Sequence, residues 1–239
     1  DISKLPEAID VLTHLRYIAL PDTIKTIPES VSRLLHLQTF DIPKKCQLDG
    51  FPEGMHQLTS LRHLGIESKY ISTIRGIGSL VNLQGSVEFH VKKEKGRTLE
   101  ELKDMKDLHG LLSIKNLENV QCKEEACEAQ LANKQHVNIL KFEWSVANLD
   151  FGPNIDAEVL NCLQPHPNLE ELHIARYKGA SSPRWLQLKT LSHLKCLYLA
   201  NCRRWEWLPP LGQLPSLRVL HLKEMNSVAE IGPSFYGGL

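Results

Sequence analysis

A parallel-sheet α/β solenoid is the fold class this chain predicts, and three observations predict it. The spacing Leu12-x-x-Leu15-x-x-Ile18-x-Leu20 recurs along almost the whole chain. Taking the first residue of each closing apolar pair as a register mark gives Ile18, Phe40, Leu64, Val87, Leu112, Leu140, Leu172, Leu197 and Leu220. Successive marks are 22, 24, 23, 25, 28, 32, 25 and 23 residues apart, mostly within the roughly 20–29 residues of a leucine-rich repeat. Each mark begins an alternation, and alternate side chains of a strand face opposite ways. The mark and the residue two beyond it therefore face the interior, while positions three, five and seven (with the mark as position four) face outward. One such unit cannot bury its apolar edge alone, so stacked neighbours make a continuous core. The expectation is a leucine-rich-repeat horseshoe of about nine repeats in a single domain over 1–239. It has a parallel concave sheet and a convex side of short turns, 3-10 segments and a few helices.

The elements follow in order. Over 1–75 the return half of each repeat reads Leu5-Pro6-Glu7, Ile27-Pro28-Glu29 and Phe51-Pro52-Glu53. Proline fixes φ and lacks an N–H, and glutamate suits the N-terminus of a short turn, so short helical or 3-10 turns are predicted there. Over 76–165 the repeats lengthen. Two of them, Leu83-x-Gly85-x-Val87 and Leu108-x-Gly110-x-Leu112, carry an extra residue and a glycine, which predicts a bulge entering the strand. The run 123–134 is rich in helix formers and predicts a convex helix. Residues 148–156 contain Gly152-Pro153-Asn154 and read as a mobile loop before a short helix through Val159, Leu160 and Leu163. Over 166–239 the repeats are regular again.

Composition narrows the function classes. Lys plus Arg and Asp plus Glu stand at 28 each, so bulk charge favours neither nucleic acid nor an anionic membrane. No apolar run reaches the roughly 18 residues of a membrane span. The chain opens on Asp1 inside a repeat and closes without a polar capping unit, which reads as a piece of a longer protein. Cys46, Cys122, Cys127, Cys162, Cys196 and Cys202 show no Cys-x-x-Cys spacing. They read as small buried apolar residues in a reducing compartment, and with no Asn-x-Ser/Thr acceptor in the chain the expected location is cytoplasmic.

Catalytic and metal chemistry has no sequence support. There is no Gly-x-x-x-x-Gly-Lys-Ser/Thr loop and no His-Glu-x-x-His, and the histidines recur in repeat register, as His14 with His36 and His173 with His221. Cys196 faces outward near histidines, but no base-orienting or oxyanion group accompanies it. Lys92-Lys93-Glu94-Lys95-Gly96-Arg97 reads as a solvated turn. Catalytic, metal-binding and cofactor-binding residues are therefore expected to be none.

What remains is surface. The outward positions of the later strands are Lys141, Glu143, Glu171, His173, Tyr198, His221 and Lys223, and they are the candidate protein-binding residues. Trp144 has core parity and is expected to pack. Trp205 and Trp207, flanked by Arg203, Arg204 and Glu206, read either as interface anchors or as caps of the turn before Leu208-Pro209-Pro210.

The C-terminal half also carries an ordered set of motifs. Leu111-Leu112-Ser113-Ile114-Lys115-Asn116-Leu117 is followed by Leu140-Lys141-Phe142-Glu143-Trp144. Further on come Pro167-Asn168-Leu169-Glu170-Glu171-Leu172-His173-Ile174 and Pro183-Arg184-Trp185-Leu186. Leu208-Pro209-Pro210-Leu211-Gly212-Gln213-Leu214-Pro215-Ser216-Leu217 and Ile231-Gly232-Pro233-Ser234-Phe235-Tyr236-Gly237 complete it. The set resembles the leucine-rich-repeat region of plant intracellular nucleotide-binding leucine-rich-repeat disease-resistance proteins of the coiled-coil class. That resemblance implies an innate-immunity receptor region, not an enzyme. Its partners would be pathogen effectors or the host proteins they modify and, in cis, a nucleotide-binding switch module held inactive. ADP or ATP would belong to that upstream module. Two other classes compete: a receptor-kinase ectodomain and the substrate-recruiting repeat adaptor of a ubiquitin ligase. The first should show glycosylation acceptors, paired cap cysteines and a regular Leu-x-Gly-x-Ile-Pro repeat. The second usually places Cys at position nine, where only Cys202 stands.

Overall fold

The computed structural model describes residues 3–43, 45–145, 155–187, 190–228 and 231–236. Among these, every register mark falls in a strand: β1 (Tyr17–Ala19), β2 (Thr39–Asp41), β3 (His63–Gly65), β4 (Val87–His90), β5 (Gly110–Lys115), β6 (Val137–Glu143), β7 (Glu171–Ala175), β8 (Cys196–Ala200) and β9 (Val219–Lys223). All pairings of these strands are parallel and in sequence order. The marks pair with one another, Ile18↔Phe40↔Leu64 on one side and Val87↔Leu112↔Leu140↔Leu172↔Leu197↔Leu220 on the other. The chain is a leucine-rich-repeat solenoid, and one apolar core runs through both groups of strands from Ile9 to Leu214.

The sheet divides where sequence reasoning expects only a bulge. Strands β1–β3 and β4–β9 form separate sheets, joined among the described residues by the bridge His63↔Gln84. Gly85, with φ of +101°, takes up the extra residue and carries the chain out of register, so Leu64 and Val87 do not pair. At Gly110, with φ of +74°, the outcome is different: pairing runs from Gly110↔Val137 to Leu111↔Ile139, so the register shifts by one with Asn138 of β6 left without a partner in β5, and pairing then resumes. Both glycines occupy backbone that a β-carbon would strain. The same glycine-bearing insertion accompanies a register shift in one place and a sheet break in the other.

Among the described residues the convex side is made of 3-10 turns and four short helices: α1 (Ser68–Ile71), α2 (Lys123–Glu128), α3 (Ile155–Cys162) and α4 (Arg184–Gln187). The Pro-Glu turns form as expected, at Glu29–Arg33 after Pro28 and at Glu53–Gln57 after Pro52. Glu29 also latches the next repeat, accepting from the Glu53 N–H at 3.1 Å and the Gly54 N–H at 2.8 Å. Those are donors that a short turn leaves without internal acceptors. The helix expected over 123–134 is shorter than the run. It stops at Glu128, Gln130 turns left-handed with φ of +46°, and a 3-10 turn covers Leu131–Asn133. Burial of both Ala129 and Leu131 overrides the helix propensity of the segment. Of 148–156, residues 148–154 lie outside the described residues; α3 follows them, burying Val159 and Leu160.

Lys134, a ring series and the cysteines depart from a purely aliphatic plan. Lys134 fills the slot, three residues before Val137, that Leu34, Leu58, Leu80, Met105 and Leu191 fill in other repeats. It is buried, and its Nζ donates to the carbonyls of Leu102 at 2.5 Å and Met105 at 3.0 Å. Burial lowers its pKa to about 8, reinforced by Lys106 and opposed by Asp104. Trp144, Tyr177 and Trp205 form a buried edge-to-face series with ring centroids 5.1 and 6.0 Å apart. The cysteines depart from the expectation of six buried thiols: Cys127 and Cys162 form a disulfide, Cys122 is exposed and Cys196 half-buried, leaving Cys46 and Cys202 as buried free thiols. The two bonded positions sit on neighbouring convex helices, a proximity that sequence spacing alone does not reveal. Among the described residues no helix is long and apolar enough to cross a membrane.

Candidate functional site

Parallel in-register strands turn repeat position into geometry. Position five of β6, β7, β8 and β9 is Lys141, His173, Tyr198 and His221, and these are successive cross-strand partners. Three of them stack as rings. His173 and Tyr198 lie 4.2 Å apart between centroids at 9°, and Tyr198 and His221 lie 4.7 Å apart at 11°. The row starts half-buried at Lys141 and ends exposed at His221.

Position three contributes Glu171, whose Oε1 lies 2.6 Å from His173 Nε2. Since a carboxylate accepts, the ring nitrogen donates and the imidazole is held in the plane that stacks on Tyr198. Burial lowers the His173 pKa. The Glu171 hydrogen bond opposes that shift and the Lys141 charge adds to it. Half-buried Ile139, Cys196 and Val219 complete this row, so apolar side chains flank Glu171 and lie beside Tyr198 and His221.

Position seven is Lys115, Glu143, Ala175, Ala200 and Lys223. Two alanines beside His173 and Tyr198 leave a shallow floor between charged ends. Glu143 pairs with Arg176, while Lys223 is exposed, 4.0 Å from Glu224. On β4, Glu88 accepts from His90 at 2.8 Å and Lys115 at 3.0 Å. Those two bonds hold its carboxyl below the usual range against the burial that would raise it.

The expected residues therefore separate into two groups. Lys141, Glu143, Glu171, His173, Tyr198, His221 and Lys223 share one continuous face of β6–β9. The tryptophans do not join it as a pair. Trp205 is wholly buried against Tyr177 and is a core residue, which corrects its candidacy as a contact; Trp207 is 62% exposed. Position nine is buried at Leu117, Tyr177 and Cys202, and Trp205 packs against Tyr177.

Arg176 escaped sequence reasoning. It belongs to a recurrent left-handed position after the strand, with Asn116, Asn201 and Glu224, at φ between 54° and 60°. That turn carries the chain out of strand alternation and brings Arg176 to Glu143. Its equivalents Asn116 and Asn201 are the residue type that favours this conformation, and they were the available signal.

The leucine-rich-repeat family described as R13L1/DRL21 matches residues 99–225. A putative disease resistance protein of Arabidopsis thaliana is 33% identical over 246 residues, covering 99% of this chain and 17% of that protein. The putative disease resistance RPP13-like protein 1 of the same plant is 37% identical over 155 residues, covering 62% of the chain and 15% of its own length. Disease resistance protein RGA2 of Solanum bulbocastanum is 35% identical over 149 residues, covering 61% and 15%. The chain thus spans under a fifth of the length of these relatives. Two solved structures share the fold alone. The functional domain of InlJ from Listeria monocytogenes has a TM-score of 0.56 at 13% identity, over 100% of this chain and 50% of that one. The PEPR1–AtPEP1 crystal structure has a TM-score of 0.54 at 17% identity, over 92% and 33%.

Proposed function

The chain belongs to the R13L1/DRL21 family of plant disease-resistance leucine-rich repeats, and from that premise we propose that it is the recognition and autoinhibitory region of a cytoplasmic immune receptor. The observation that carries this reading is the row His173–Tyr198–His221, three nearly parallel rings stacked face to face across three adjacent strands on the outward face. Rings stacked on one another lose little freedom when a partner covers them, and aromatic side chains dominate the energetics of interfaces. Lys141 and Lys223 stand at its two ends, where they steer a partner and fix its register.

The mechanism is a competition between two partners for one face. At rest the face holds the nucleotide-binding switch module; an effector, or a host protein altered by one, binds the same face better and frees the module. Each partner shifts the equilibrium only by its difference in affinity between the two states. Recognition in this scheme requires no catalytic group from the repeats, and any nucleotide belongs to the switch module.

The test uses the complete gene product carrying Lys141→Glu, His173→Ala, Tyr198→Ala and His221→Ala. The expected result is loss of the pathogen-triggered response, or signalling without a trigger, at unchanged protein level. A normal resting state together with a normal response would overturn the reading.

A further inference from the structure

The convex side carries chemistry that the recognition face does not use. Cys127 lies next to the end of α2 and Cys162 is the last residue of α3; they are bonded across 35 residues of sequence with Cα atoms 4.7 Å apart. Cys127 is exposed and Cys162 half-buried, so a solvent-borne thiol or disulfide reaches the bond. Helix α3 is eight residues long, far too short to persist without tertiary anchors. It has an apolar face at Val159 and Leu160, a hydrogen bond from Trp144 Nε1 to Asp156 Oδ1 at 3.1 Å near its start, and this bond at its end.

We propose that Cys127 and Cys162 are a reversible redox-modification site that staples α3 to α2. The oxidant is a low-molecular-weight disulfide such as oxidised glutathione, and the reductant is a dithiol. In the forward direction one cysteine thiolate attacks a glutathione sulfur and expels the first glutathione thiolate. The second cysteine thiolate then attacks the protein sulfur of that mixed disulfide and expels the second. One S–S bond breaks and one forms. The two electrons pass from the cysteine pair to the glutathione pair, and the two cysteine protons end on the released thiolates. A dithiol runs the sequence backwards. Exposure suits this pair to exchange, whereas Cys46 and Cys202 are buried, and burial lifts the Cys202 thiol to about 12. Reduction leaves α3 with its apolar face and its hydrogen bonds from Trp144, from the Arg184 N–H to Asn161 Oδ1 at 2.8 Å and from Trp185 Nε1 to the Leu160 carbonyl at 2.8 Å, but with no covalent tie to α2, so α3 opens more often. The proposal is independent of what the concave face binds.

The full chain, equilibrated with oxidised or reduced glutathione, alkylated and mapped without reduction, gives the direct readout. Hydrogen exchange at 155–162 is measured in parallel. The expected result is a Cys127–Cys162 cross-linked peptide under oxidation, with α3 exchange slower by about tenfold or more than in the reduced chain. Cys162→Ser should make α3 exchange the same in both conditions, and Cys122→Ser should change neither readout. If Cys162→Ser fails to fold, Cys127→Ser at the exposed end gives the same comparison. A cross-link through Cys122, no cross-link at all, or equal α3 exchange in the two conditions overturns the proposal.

Discussion

The two sheets are built from one repeat and present different surfaces. In β1–β3 the strands are three residues long and the aligned fifth positions are Ala19, Asp41 and Gly65. In β6–β9 the strands run to five or seven residues, and the same position carries Lys141, His173, Tyr198 and His221. Their interiors differ as well. The first sheet rests on aliphatic side chains, Phe40 and the Glu29 latch; the second adds the Trp144–Tyr177–Trp205 series and buried Lys134, with the α2–α3 disulfide on its convex side. The inward positions maintain the solenoid in both. The outward positions are free to differ, and in this chain the large interacting side chains gather on the second sheet.

Stability should follow the same division, because stacked repeats contact only their neighbours. The largest expected effect is that of Trp144→Ala, a cost of about 3–5 kcal/mol for truncating a large buried aromatic. Hydrogen exchange should accelerate across β6–β8 and stay unchanged in β1–β3; acceleration throughout the chain would mean that the two regions unfold together.

Lys134 gives the next effect, with a defined sign. Its pKa in the folded chain, about 8, lies below the ordinary 10.5, so between those values the unfolded chain binds more protons. Lys134 should therefore add about 3 kcal/mol to the stability of the second region from about pH 8 to about pH 10.5. It is opposed above about pH 9 by the Cys202 thiol and near pH 10 by the Tyr177 hydroxyl, both of which burial keeps protonated in the folded chain. Denaturant titrations across that range should lose this increment in Lys134→Met. The first region, with Leu34 and Leu58 in the same slot, should show no such step.

A smaller effect belongs to the first sheet. Glu29→Ala removes the acceptor for two N–H groups and should cost about 1 kcal/mol, read as faster exchange at Glu53 and Gly54 with β6–β9 unaffected. Smallest is Glu224→Gly, which relieves left-handed backbone at φ of 54° and gives up exposed pairs with Arg203 and Lys223. A net gain of about 0.5 kcal/mol is expected at the end of the second sheet. A loss greater than 1 kcal/mol, measured by thermal unfolding, would show that the Arg203 contact matters more than the backbone.

The parts of this architecture that were legible in the sequence are those fixed by period. Ile18 through Leu220 pair as the spacing requires, except at Leu64 and Val87, and the alternation places Lys141, His173, Tyr198 and His221 on one face. Trp144 packs as its parity indicates. Features that depend on the third dimension were not legible. Gly85 and Gly110 look alike in sequence, yet only Gly110 has a neighbouring strand that resumes register beyond it. The disulfide joins residues on different helices with no motif between them. Trp205, beside two arginines, resembles an anchor until the solenoid closes over it.

The most direct test of the central claim, that recognition belongs to the second sheet, is a hydrogen-exchange footprint. The complete gene product in its resting state is compared with the isolated repeat chain. Protection of 137–143, 171–175, 196–200 and 219–223, with 17–19, 39–41 and 63–65 unchanged, is the predicted result. Protection confined to β1–β3 or to the convex turns would contradict it.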